Sequence, residues 1–285
     1  MAARRDLVTG PLVPLPIPRV TTRGIGGATA TARRGHSLAR VRRVLEAVLL
    51  VVAALLIGYA KTAIGGLASI SVAIFASVMP ARESTAAILL LLLVGDVVAV
   101  WHYRREADWS LLRRLIPAVL PGLALGAAFL AVVDDTVLRR SIGALLLLLA
   151  ALQLALRWHS PDVGRVGRSR TAAIATGIAA GFTTMTANAA GPVTTLYLVA
   201  QGVEKLRFLG TSALLFFGVN LCKLPFSFGL GLFGPHTARR TLLLAPFVLL
   251  GAWAGLRTVR RLSQRRFDQS VLVASALAAL ALIVR

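Results

Sequence analysis

The chain has 285 residues, of which 57% are hydrophobic and 15% charged, and its mean hydropathy is +0.78. A soluble domain of this length needs far more polar surface, so the composition excludes one. The formal net charge of +21 would suggest nucleic acid in a soluble protein. Here the arginines lie mainly in the N-terminal stretch and in short loops between apolar runs. There they hold loops at the cytoplasmic face and meet anionic lipid headgroups. No nucleic-acid partner is expected.

Residues 1–43 are rich in Arg, Pro, Gly and Thr and read as a disordered basic cytoplasmic tail. Eight apolar segments follow, at roughly 45–79, 84–101, 115–133, 137–157, 171–200, 207–224, 241–257 and 268–284. Apolar runs of about 16 to 21 residues are long enough to cross a bilayer. The fold expected is an all-α polytopic membrane protein with about eight transmembrane helices. It would lie in the plasma membrane with its N-terminus in the cytoplasm.

The first and fifth segments are too long for one simple helix. About 35 helical residues would span about 52 Å, against a hydrocarbon core of about 30 Å. Both are interrupted by small and polar residues, which is tolerated only where protein or a water-filled cavity satisfies the freed backbone. A shift of about 123 residues places Gly58-Tyr59 on Gly181-Phe182, Gly65-Gly66 on Asn188-Ala189 and Gly95 on Gly218. The expected organisation is a repeat over 44–158, a linker over 159–170 and a second repeat over 171–285. Each repeat has four segments and a discontinuous first helix. Broken helices at equivalent places in two halves point to a transport site near the midplane.

Loop arginines put the tail, 104–114 and 157–170 in the cytoplasm, and 80–84, 134–140 and 201–207 outside. The strongly basic 257–266 loop would then be external if every segment crosses once. Either that loop breaks the rule or one long segment crosses twice.

Only three of the 32 basic residues are lysines, and Lys61 follows an apolar run of about sixteen residues. A cation there costs several kcal/mol unless it faces a polar cavity or a partner. Lys61, Thr62, Gly65 and Gly66 are therefore candidates to bind an anion. The second broken segment carries Thr184, Asn188, Gly191 and Pro192. A half-helix opening at Gly191-Pro192 would aim its N–H groups and positive dipole end at that anion. The bland alternative is helix packing by small residues, with threonines bonded to their own helix. Asp96 is the second intramembrane charge, and near its repeat counterpart lies Asn220. The pair is assigned to coupling, Asp96 either pairing with Lys61 or taking a proton. Lys223, one helical turn beyond Asn220 and beside Pro225, reads equally well as an interfacial anchor. Gly122 and Gly126 form a small-xxx-small packing pattern.

No metal or cofactor is expected: the four histidines are scattered, and the single cysteine, Cys222, supports no thiolate site. An enzyme acting on lipid-linked phosphate would need clustered acid, base and nucleophile. Asp134-Asp135 with Arg139-Arg140 is dense but lacks a nucleophile or metal-ligand spacing. A channel or a membrane assembly protein is the other alternative. The partners expected are a small anionic substrate and the lipid bilayer, and a homo-oligomer is left open.

These motifs carry a resemblance over roughly residues 45–284. They are Gly58 through Gly65-Gly66, Pro80-Ala81-Arg82-Glu83-Ser84-Thr85, Gly95-Asp96, Gly181-Phe182-Thr183-Thr184, Asn188-Ala189-Ala190-Gly191-Pro192, Gly210-Thr211 and Asn220. The chain resembles the TauE/SafE family of sulfite exporters and related sulfonate permeases. The resemblance implies a transporter of about eight spans, moving small sulfur-containing or carboxylate anions. The first glycine block is sparser than is typical of that family, with Lys61 and Thr62 flanking it.

Overall fold

The computed structural model describes residues 25–64, 67–159, 169–263, 266 and 269. Every regular element among them is helical. In chain order they are α1 (Ile25–Thr62), α2 (Ala68–Val78), α3 (Ala81–Tyr103), a 3-10 turn (Arg104–Glu106), α4 (Trp109–Val132) and α5 (Asp135–His159). After the 160–168 stretch come α6 (Arg170–Ala187), α7 (Ala190–Ala200), α8 (Lys205–Gly229) and α9 (Thr237–Arg261). The chain divides into two compact units, Met1–Leu45 and Glu46–Arg285.

Residues 25–43, read from the sequence as disordered tail, are helical. No proline follows Pro18 until Pro80, and the stretch is rich in the strong helix formers Ala and Arg. Among the described residues, five helices are long and apolar enough to cross a membrane: Arg40–Thr62, Ala81–Glu106, Trp109–Val132, Lys205–Gly229 and Thr237–Arg261. The last expected segment, 268–284, lies almost wholly outside the described residues.

Helix ends follow from local chemistry. Asp108 caps α4, its carboxylate accepting from Ser110 N at 2.9 Å and Leu111 N at 3.3 Å. The Ser110 hydroxyl also donates to it at 2.6 Å, and that bond leads the set holding its pKa below the usual carboxylate value. Ser169 caps α6 by accepting from Ala172 N. Asn188 ends α6 in the left-handed conformation, φ 51°.

Both long segments break as expected, and both turn back. In the first, α1 ends at Thr62 and α2 lies back along it, Ser71 Oγ donating to Ala53 O at 2.9 Å. In the second, α6 starts beside Arg113 and Arg114, with which Arg170 lines one cavity. It breaks at Asn188, and α7 returns to Gln201. Loop 201–207 therefore shares an end of the bundle with 104–108, where Asp108 N donates to Thr211 Oγ1 at 2.9 Å. This overturns the expectation that the two loops face opposite sides. Lys205 Nζ donates to Leu262 O at 2.6 Å, so the basic stretch after Arg257 lies at that same end. The anomaly of the 257–266 loop arises only if every segment crosses once. The opposite end gathers Arg82 with Asp135, and Glu83 with Arg240.

Two helix pairs close through glycine. A Cβ on Gly58 would stand 1.8 Å from Val248 O, and one on Gly251 2.0 Å from Leu55 O, so α1 and α9 touch backbone to backbone. In α4 and α6, Gly181 would meet Val119 O at 2.2 Å and Gly122 would meet Ile178 O at 2.2 Å. Gly255 abuts Thr62 as Gly126 abuts Met185. Small residues permit such close approach in membrane helices.

Candidate functional site

The two breaks meet at one cavity. From α1 it is lined by Ala60 and Lys61, and from α6 and α7 by Thr184, Asn188, Gly191 and Thr195. Ser212, Phe216 and Asn220 of α8 complete much of the wall. The cavity offers about 40 Å³ to water-sized occupants. That is room for a few waters or one small oxyanion, and not for a drug-sized molecule.

Lys61 lies in the last turn of α1. Its Nζ is 2.7 Å from Asp96 Oδ1 and 4.7 Å from the centroid of the Phe216 ring. Gly95 gives this lysine its space, because a Cβ there would stand 3.0 Å from Lys61 Cγ. Asp96 is fully buried, and its Oδ2 accepts from Asn220 Nδ2 at 2.6 Å. The two residues assigned to coupling are thus in contact with each other, and Asp96 also with Lys61.

Thr62 faces elsewhere. One residue further along a helix is a turn of about 100°, and Thr62 Oγ1 donates to Ala252 O at 2.9 Å and Gly58 O at 3.2 Å. It serves the α1–α9 contact and does not line the cavity. Gly65 and Gly66 lie outside the described residues. Pro192 is buried in the first turn of α7, where its missing N–H costs nothing, and it does not line the cavity. Asn188 Nδ2 donates to Thr85 O at 3.1 Å, fixing the amide.

Lys223, which the sequence leaves open between an inward position and an interfacial anchor, lies inside. It is completely buried, and its Nζ donates to Asn188 Oδ1 and, at 3.3 Å, to Thr184 Oγ1. Two signals pointed inward: lysine is scarce in this chain, and Lys223 follows Asn220 by one helical turn. Ser69 Oγ, in the first turn of α2, is buried with no hydrogen-bond partner among the described residues. No group of three His, Cys, Asp or Glu among those residues could hold a metal.

The family model for the sulfite exporter TauE/SafE matches residues 50–282. The chain belongs to the TauE/SafE family. Both helix breaks, the cavity and all three lysines fall inside the matched span. TauE/SafE membership makes the protein, at the level of the family, a multi-pass membrane transporter of sulfur anions, and TauE/SafE proteins are transporters rather than enzymes. Neither the curated proteins nor the solved structures gave a match.

Proposed function

We propose that the protein is a secondary transporter that carries a small anion, such as sulfite or an organosulfonate, across the plasma membrane. The observation that carries this reading is the meeting of both helix breaks at one cavity, with Lys61, Thr184, Asn188 and Gly191 in its wall. Backbone N–H groups at the start of α7 and the positive end of its dipole favour an anion there. Lys61 adds ammonium donors. Gly65 and Gly66 are proposed to bind the anion with Lys61, Thr184, Asn188 and Gly191, whereas Thr62 and Pro192, which the sequence also offers as binding residues, do not line the cavity. Asp96 and Asn220 are assigned to coupling.

The reading includes an internal duplication, which the glycine contacts support. Leu55, Gly58 and Thr62 stand 123 residues before Ile178, Gly181 and Met185. Val119, Gly122 and Gly126 stand 129 residues before Val248, Gly251 and Gly255. Each of these three glycine contacts between α1 and α9 thus has its counterpart between α6 and α4. Inverted repeats with discontinuous helices place a substrate at their interface.

The test is uptake of radiolabelled sulfite by proteoliposomes under an imposed pH gradient, with sulfonates, sulfate and small carboxylates as competitors. Saturable uptake inhibited by one class of anion is the expected result. Flux without saturation would replace the carrier with a channel, and no uptake of sulfite, or of any competitor labelled in its place, by inserted protein would overturn transport itself.

A further inference from the structure

Lys61 lines the cavity, a second lysine, Lys223, is held by two residues of its wall, and only Lys61 is neutralised. Lys61 and Asp96 form an ion pair of zero net charge. Lys223 donates only to neutral oxygens, Asn188 Oδ1 and Thr184 Oγ1, and makes no ion pair among the described residues. The charged groups that act on it are Lys61 from α1 and Asp96 from α3. When Lys223 carries its proton, the cluster sums to one positive charge. A fully buried charge is costly without an opposite partner.

Both oxygens that hold Lys223 belong to residues of the cavity wall. An anion in the cavity would therefore lie within about one hydrogen-bonded residue of the ammonium. Interior attraction at that range is far stronger than in water. We infer that Lys223, rather than Lys61, supplies the counter-charge for the transported anion, and that the site takes a singly charged oxyanion in preference to a doubly charged one. This rests on the transporter reading above. A monoanion brings the loaded site to zero net charge. A dianion leaves an uncompensated negative charge in apolar surroundings, which the same desolvation argument disfavours. Lys61 still contributes hydrogen-bond donors, but its charge is already answered by Asp96.

The experiment compares competitors whose charge does not depend on pH near neutrality. Radiolabelled sulfite uptake is measured in proteoliposomes against methanesulfonate, singly charged, and sulfate, doubly charged. For the wild-type protein, methanesulfonate competes and sulfate is weaker by roughly tenfold or more. Lys223→Gln lowers uptake by a similar factor and erases the preference between the two competitors. Lys223→Arg, which keeps the charge, keeps the preference. Sulfate competing as well as methanesulfonate in the wild type would overturn the single-charge assignment, with no variant needed. Lys223→Gln with wild-type uptake and preference would return the counter-charge to Lys61. Wild-type protein that takes up no sulfite, and neither of the two competitors when these are labelled in turn, would overturn the transporter reading and this inference with it.

Discussion

Lys61 on α1 and Asp96 on α3 form an ion pair at 2.7 Å, and Asn220 on α8 holds the other carboxylate oxygen. Three helices are tied at one buried carboxylate. Removing one member of a buried pair strands the other charge, at about 3–5 kcal/mol, whereas removing both is far less costly. Asp96→Ala is therefore expected to destabilise the purified protein by about 3–5 kcal/mol. Lys61→Ala with Asp96→Ala is expected to destabilise it less. Thermal unfolding in detergent measures both, and a double variant as weak as the single one would contradict the pairing.

Asn188 combines a left-handed backbone with an amide that bridges Lys223 and Thr85. The two roles separate by substitution. Asn188→Gly keeps the backbone geometry and removes the amide, so it should raise the KM for the transported anion with a modest loss of stability. Asn188→Ala should show the same KM defect plus about 1–2 kcal/mol of backbone strain. Equal KM values in Asn188→Gly and wild type would remove the amide from the site.

Glycine contacts make a graded prediction. Gly251→Ala and Gly122→Ala each drive a methyl into a carbonyl of the neighbouring helix and should cost about 1–3 kcal/mol. Gly143 of α5 has nothing within 4 Å of an added Cβ. Gly143→Ala should be neutral or stabilising by up to about 1 kcal/mol through helix propensity. Unfolding midpoints of the three variants, measured side by side, decide it.

The Asp108–Thr211 hydrogen bond places two loops at one end of the bundle. In a Cys222→Ser background, cysteines introduced at Glu106, Arg207 and Arg261 should react with a membrane-impermeant maleimide from the same side. A cysteine at Arg82 should react from the other. Labelling of positions 106 and 207 from opposite sides would contradict the returning path of α6 and α7.

The helix breaks are legible in the sequence because Gly, Pro and Asn interrupt long apolar runs, and backbone chemistry alone stops a helix there. The half-helix expected at Gly191-Pro192 starts one residue earlier, at Ala190, with Pro192 in its first turn. The direction of each segment after its break is not legible, since hydropathy is the same for a helix that continues and one that returns. That is why loop 201–207 was assigned to the wrong end. Pairing with Lys61 is one of the two roles that the sequence offers Asp96, and the two side chains meet. Lys223 was harder: its neighbours Pro225 and Phe226 resemble a membrane interface, and only packing against α6 turns the ammonium inward. Gly251 and Gly255 carry the same spacing as Gly122 and Gly126, yet their role appears only when α1 is set against them.

A carrier must open its site first to one end and then to the other. Helices separated by layers of side chains can slide, because rotamers adjust. Where Gly58 meets Val248 and Gly181 meets Val119, peptide groups touch directly and nothing between them can yield. We expect α1 with α9, and α4 with α6, to move as two rigid planks. The hinges are then the two places where the described chain leaves its helix, at 63–64 beside Lys61 and at 188–189, where Asn188 accepts from Lys223.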